Sequence, residues 1–516
     1  MRGNYSSNNI IKNLVLVSLI LFPAAAVAED SWPMWMRDSQ GGPIAGEPQL
    51  RDPQLTQQTR VWVSEADIPP GRVSDGRGAG GREDMQQPAS GGFASPIAAD
   101  GKVFHWNYRP SGNVYDIPRA RALGLSQEEL RAQASPLQGN LVTGHERWLV
   151  SATDVLTAID AATGATLWQT ELTNQGVNWG LFNKAGGGMT PVYHDGMVIA
   201  MSTSAQVFGV DAATGEVRWT HDLMPRHLQN MAYRQAAMQG DSMAPRFNRD
   251  FLVALVAADG IVVINDQRWH SVQNSDGTTY HYDTYNSYLG LDVHSGEQRW
   301  EAKEVGDTRG SPVLWEHNGT TYVLAINRFH LTLHDIATGR EIWRHPQGHA
   351  AMFDLAVSDR FVVMNARQEG SRKTEITGYA IDLNGMQQLW TWGDQRFHSN
   401  ILAVGDYGYM HFDNHLRCFD LATGETVKDL PIGRIPTDNG NPFIAYYGGW
   451  LVTMGGDAGS GYTFVHANPE HMEASKRFFP ADVGRGYGCL VFPAFAGSTM
   501  FFRTQDSAKI EAYRLR

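Results

Sequence analysis

Arg, His and Tyr are the residue types that β-elimination of an acidic polysaccharide requires. Arg309 could neutralise a uronate carboxylate. His349, His398 and Tyr487 could supply the base for the proton beside it and the acid for the leaving oxygen. A second group reads as ligand-binding: His105, Asn107, Tyr108, Lys184, Arg367, Asn400, Asn441 and Arg485. So many Arg and His residues in an acidic chain favour an anionic ligand, either a small molecule or a polysaccharide. His105, His349 and His398 could instead hold a divalent metal, and the metal's identity stays open. No spacing motif binds these residues into one site. The Gly-rich run 455–461 lacks the following helix that phosphate binding needs, and no nucleophile-elbow sequence is present.

These candidates are selected by position. Along the chain one phrase recurs: Asp160-Ala-Ala-Thr-Gly164 with Trp168, Asp211-Ala-Ala-Thr-Gly215 with Trp219, Asp292-Val-His-Ser-Gly296 with Trp300, and Asp335-Ile-Ala-Thr-Gly339 with Trp343. Asp382-Leu-Asn-Gly385 with Trp390 is a shorter copy. In Asp420-Leu-Ala-Thr-Gly424, Lys428 stands where the tryptophan should be. Alternating apolar residues precede each phrase. Asp and Gly make a tight turn, and a second short strand carries the tryptophan. An earlier hairpin with its own turn, such as Asp100-Gly101 or Asp195-Gly196, completes a unit of four strands, A to D. A shortest period near 40 residues suits propeller blades. Eight units can be counted. The last lacks a strand, which Arg60-Val-Trp62-Val63 can supply to close the ring. The tryptophans read as wedges between blades.

The Asp-x-x-Thr-Gly-x-x-x-Trp phrase resembles the pyrroloquinoline-quinone-like propeller repeat. That repeat is shared by quinoprotein dehydrogenases and by the lipoprotein of the outer-membrane β-barrel assembly machine. Trp32-Pro-Met-Trp35-Met-Arg37 is similar to the opening of exported repeat proteins in this group. The resemblance implies an all-β, eight-bladed β-propeller. For the dehydrogenases it also implies a quinone and calcium in the central channel, beside an adjacent cysteine pair. Cys418 and Cys489 are the chain's two cysteines and are not adjacent. No haem-attachment motif is present. Pyrroloquinoline quinone is therefore disfavoured, and no cofactor is assigned. Whether the two cysteines pair is left open.

The chain has 516 residues and a formal net charge of −12 at pH 7. An acidic protein lacks the basic face that nucleic acid requires. Arg2 and Lys12 flank an apolar run that ends in Ala26-Val27-Ala28, the pattern of a cleaved leader. No later stretch approaches a membrane span. The expected organisation is a signal peptide (1–28), an N-terminal extension (29–59) and one propeller (60–516). The protein would be periplasmic or secreted.

A–B and C–D turns share one face of such a ring, and they are short. Long insertions at 109–150, 266–287 and 366–376, and long D–A linkers, belong to the other. Ser126-Gln-Glu-Glu129 reads as a helix start within the first insertion, and 266–287 as a polar aromatic hairpin around Asn274–Gly277. Function sits on loops held by a rigid scaffold. The expectation is a ligand- or protein-binding module working through this face, with an anionic ligand or an envelope protein as partner. The alternative is a polysaccharide lyase, and a quinoprotein dehydrogenase ranks below both.

Overall fold

In the computed structural model, the described residues are 31–39, 48–68, 94–113, 149–179, 190–202, 206–223, 254–273, 279–306, 311–326, 330–346, 349–350, 355–367, 374–395, 400–412, 415–432, 443–454, 462–474, 478, 492–503 and 509–516. They form eight antiparallel sheets arranged as the blades of a β-propeller. Blade two is the plainest: Val192–His194, Met197–Met201, Gln206–Asp211 and Val217–Asp222 pair in sequence order. In blade five strand A is split into His349–Ala350 and Ala356–Val357, which both pair with Phe361–Arg367. Blade seven has three strands, and isolated bridges at Ala474 and Phe478 stand beside the third. Among the described residues, two short helical turns, Met36–Ser39 and Pro469–His471, interrupt the β structure.

The recurrent turn satisfies itself. Asp211 Oδ1 accepts hydrogen bonds from the Ala213 and Thr214 amides and from the Thr214 hydroxyl. Gly215, at φ 77°, donates its amide to the Asp211 carbonyl. Arg218 and Thr214 together hold the Asp211 carboxyl down to about 2. The turns at Asp160, Asp292 and Asp420 repeat the carboxylate bonds.

The turn then receives the neighbouring blade. Trp168 Nε1 donates to the Ala212 carbonyl, Trp219 to Val293, Trp300 to Ile336 and Trp390 to Leu421. Each acceptor is the residue after the turn aspartate of the next blade. Each indole also lies on that turn's glycine: a Cβ on Gly339 would come within 2.5 Å of Trp300. In blades two, three and five the ring also rests on a strand-C glycine of its own blade, where Trp168 has Ala158 opposite it. A Cβ on Gly209, Gly290 or Gly378 would stand 2.1–2.2 Å from Trp219, Trp300 or Trp390. Trp343 bonds to the Asp382 carbonyl and is less buried, because the turn it meets is one residue shorter. Where Lys428 replaces the tryptophan, the Tyr409 hydroxyl donates to the Ala467 carbonyl instead. Cys418 pairs with Tyr409 in register and is a buried free thiol, pushed up to about 12 by burial.

Arg60–Val63 supplies the fourth strand of the last blade, beside Ile510–Arg514. Trp62 then makes the same contact onto blade one, bonding the Ala161 carbonyl and lying on Gly164. Glu511, fully buried, accepts from the Tyr513 hydroxyl at 2.8 Å and lies 3.9 Å from the Arg60 guanidinium.

Trp300→Ala should cost about 3–5 kcal/mol. Gly290→Val, which displaces the same ring, should cost about 1–3 kcal/mol. Gly393→Ala, whose Cβ meets nothing within 4 Å, should stay within about 0.5 kcal/mol of wild type. Chemical unfolding midpoints check all three.

Candidate functional site: one face of the ring and its central channel

Blades one and three depart from the plain pattern on the same side. In blade one the pairing of strands B and C runs from Lys102↔Asp160 to Asn113↔Val150, and strand D follows as far as Leu149↔Trp179. In blade three it runs from Ile261↔Asp292 to Gln273↔Thr279. There strand D leaves after Asn286↔Gly306, so the hairpin continues as two strands. A bulge at Arg268/His270 marks this departure and strengthens the local twist. Strand B of blade three has 13 residues against five in blade two. At about 3.3 Å per residue the arm rises more than ~20 Å above its neighbour. Most of the expected insertion 266–287 is therefore strand, whereas of 109–150 only the strand residues 109–113 and 149–150 are described. The expected helix at Ser126–Glu129 and the turn Asn274–Gly277 lie outside the described residues.

The central channel is filled by the chain itself. Trp32 exchanges two backbone hydrogen bonds with Ala98 on the inner edge of blade one, and the Pro33 carbonyl accepts from the Tyr193 amide of blade two. The Trp32 ring packs on Phe495 and Tyr447, in blades eight and seven, and Trp35 packs edge-on to Phe492. The helical turn Met36–Ser39 lies against strand A of blade four, and the Met36 sulfur is 3.9 Å from Asn400 Nδ2 of blade six. Residues 48–52 then lie on the A–B face. Leu50 donates its amide to the Gly448 carbonyl, and Arg51 and Asp52 donate theirs to Arg516.

A partial belt of hydrogen bonds joins neighbouring blades two residues before strand A, from eight to one, one to two and three to four. The Phe492 amide donates to Ser95 Oγ, the Ser95 amide to Thr190 Oγ1 and the Ala254 amide to Ser311 Oγ. Asn400 holds the corresponding place in blade six. Its Oδ1 accepts from the Ile444 amide and its Nδ2 donates to the Ile444 carbonyl.

Three sequence candidates have described side chains: His105, Asn107 and Asn400, all buried. Asn400 is a member of the belt, so both ends of its amide are engaged. His105 and Asn107 share one face of strand B in blade one. Tyr108, His349 and Arg367 are placed by backbone only: Tyr108 opposite Asp154, and His349 opposite Arg367. Arg309, His398, Tyr487, Lys184, Asn441 and Arg485 lie outside the described residues. His349 and Arg367 are thus brought together, but on blade five, diametrically across the ring from His105 in blade one. Among the described residues, no three His, Cys, Asp or Glu side chains gather as a metal site. Sequence reading missed the belt and the channel filling. Aligning the units on strand A would have exposed the serine and threonine positions.

His105 is closed inside blade one, with Nε2 3.1 Å from the Ala94 carbonyl. Burial, with the Arg503 charge adding to it, pushes its imidazole well below the usual histidine range. Burial likewise lowers His334 and His194. The Gly260 amide donates to His194 Nε2, which requires that nitrogen to be unprotonated.

An eight-bladed ring of self-capped Asp-turn repeats with tryptophan wedges defines a PQQ-like β-propeller. The chain belongs to the family described as outer membrane protein assembly factor BamB (PQQ_2), whose profile matches residues 112–268 and 152–430, more than half of the chain. No curated protein matches it in sequence. Similar solved structures include BamB from Moraxella catarrhalis, with 14% identity and a TM-score of 0.44, covering 71% of this chain and 94% of that one. The quinohemoprotein alcohol dehydrogenase ADHIIG from Pseudomonas putida HK5 has 10% identity and a TM-score of 0.48, covering 94% and 80%.

A histidine held below its unfolded value near about 6.5 leaves the unfolded state binding more protons below that pH. Stability should therefore be complete above about pH 7 and fall as pH drops through 6.5. His105→Gln, able to keep the Ala94 bond, should flatten this slope in unfolding measurements between pH 7 and 5. Asp211 and Asp292, both held down to about 2, titrate below that window.

Proposed function

We propose that this protein is a binding module of the cell envelope that captures a polypeptide partner on the face bearing the two extended hairpins. The observation that carries this reading is the unequal decoration of the ring. Blades one and three raise long hairpins on one face and flank the plain blade two. The opposite face carries short turns and is partly covered by residues 48–52. The two-stranded end of the blade three arm contains Trp269, His270, Tyr280, His281, Tyr282 and Tyr285. Aromatic residues with few charges are the composition of a protein interface core. The family's description as an outer membrane protein assembly factor supports a protein partner, and the leader-like residues 1–28 support export.

Shortening the arm tests this. Residues 269–284 would be replaced by Asn-Gly, a favoured two-residue hairpin turn, at the point where the third strand departs. The shortened chain should keep the wild-type unfolding midpoint. It should lose, by at least about tenfold, the envelope polypeptides that wild type captures by crosslinking. Equal capture by both chains would count against the arm. An absorbance rise from unsaturated uronates on acidic polysaccharide would replace this reading with the lyase.

A further inference from the structure

The fold family brings an expectation about the channel that the residues present can be tested against. A flat quinone on the ring axis needs an open slot between the A strands, with polar side chains free to hold it. The slot here contains Trp32, which is fully buried, and Met36 and Arg37, which are nearly so. Trp32 has Phe495 at 4.9 Å and Tyr447 at 6.3 Å between ring centres. The Arg37 guanidinium stands 5.9 Å from the Trp32 ring and 5.7 Å from that of Tyr447. The belt side chains Ser95, Thr190, Ser311 and Asn400 are engaged with backbone groups of neighbouring blades. The quinone does not fit these residues.

We infer that Trp32–Arg37 is the resident ligand of the central channel, an indole-bearing peptide of the chain's own, and that the ring binds no quinone. Three features separate it from a passing terminus. The segment pairs with otherwise open inner strand edges: two hydrogen bonds to Ala98, at 2.7 and 2.9 Å, and one from Tyr193 at 2.7 Å. Unpaired strand edges are a standing liability, and this pairing covers two of them. The segment also touches strand A, or the residue leading into it, in blades one, two, four, six, seven and eight. Its tip holds Met36 at φ 51° and Arg37 at φ 69°. Two consecutive non-glycine residues keep left-handed backbone only where the surroundings fix them.

The test uses the full chain. Equilibrium dialysis with pyrroloquinoline quinone and calcium should show no uptake, and the thermal midpoint should not move. In hydrogen exchange, the Ala98 and Tyr193 amides should rank with the slow blade-core amides. Trp32→Gly should lower the thermal midpoint by about 5 °C or more. Uptake of one equivalent of quinone by wild type would overturn the inference. So would exchange of those two amides at the rate of an open strand edge. An unchanged midpoint in Trp32→Gly would do the same. The exchange measurement on wild type decides the matter even if the variant does not fold.

Discussion

The structure depends on an indole held between two glycines of adjacent blades. Trp300 shows the arrangement most fully. Gly290 beneath it and Gly339 above it leave no room for a Cβ, and its N–H reaches the Ile336 carbonyl. One contact thus buries a large ring, satisfies its polar atom and fixes the distance between two sheets. The turn glycine has a second duty, because its positive φ closes the Asp turn. Substituting it would open the turn and lift the ring together. This coupling explains why the phrase recurs as a unit, with Asp, Gly and Trp at fixed spacing. The exceptions keep the physics and change the residue: Tyr409 replaces the indole as donor where Lys428 stands in its place.

Ring closure reuses the same contact. Trp62 lies on the N-terminal strand and wedges onto Gly164 as the other indoles wedge onto their neighbours. The chain's two ends are therefore joined twice, through the strand beside Ile510–Arg514 and through the Trp62 wedge. The segment before that strand fills the channel. Residues 32–39 and 48–68 thus serve the centre, one face and the rim of the ring. A protein bound elsewhere would meet a scaffold whose centre is already occupied.

The fold was legible because its determinants are local. Asp-x-x-Thr-Gly encodes a turn within five residues, the following tryptophan marks strand D, and Arg60–Val63 has the alternation of the missing strand. The candidate site was less legible because its determinants are relations between blades. Asn400 stands two residues before strand A of blade six, and nothing in its neighbours reveals that Ile444 engages its amide. His349 and Arg367 lie 18 positions apart and meet only because a split strand A pairs with strand B. Trp32 stands out in the sequence as part of a motif, yet its partners Ala98, Phe495 and Tyr447 come from three different blades.

The placement of the clasps also accounts for where the long hairpins arise. The indole bonds end on the C–D turn aspartates or the residues that follow them, from Ala161 round to Leu421. Further ties join A–B turns across blades: Trp315 to the Asp359 carbonyl, Tyr447 to Gly497, and Arg360 to Asp406. All lie on the short-turn face, where an inserted residue would pull a donor from its acceptor. On the other face the belt beside the channel holds the A strands, leaving the B–C connections outside it. A B–C hairpin can lengthen there by continuing its own ladder, as strands B and C of blade three do as far as Gln273↔Thr279, while every clasp stays in register. Growth is tolerated on the face that does not hold the ring together, which is also the face where a partner can bind without loosening it.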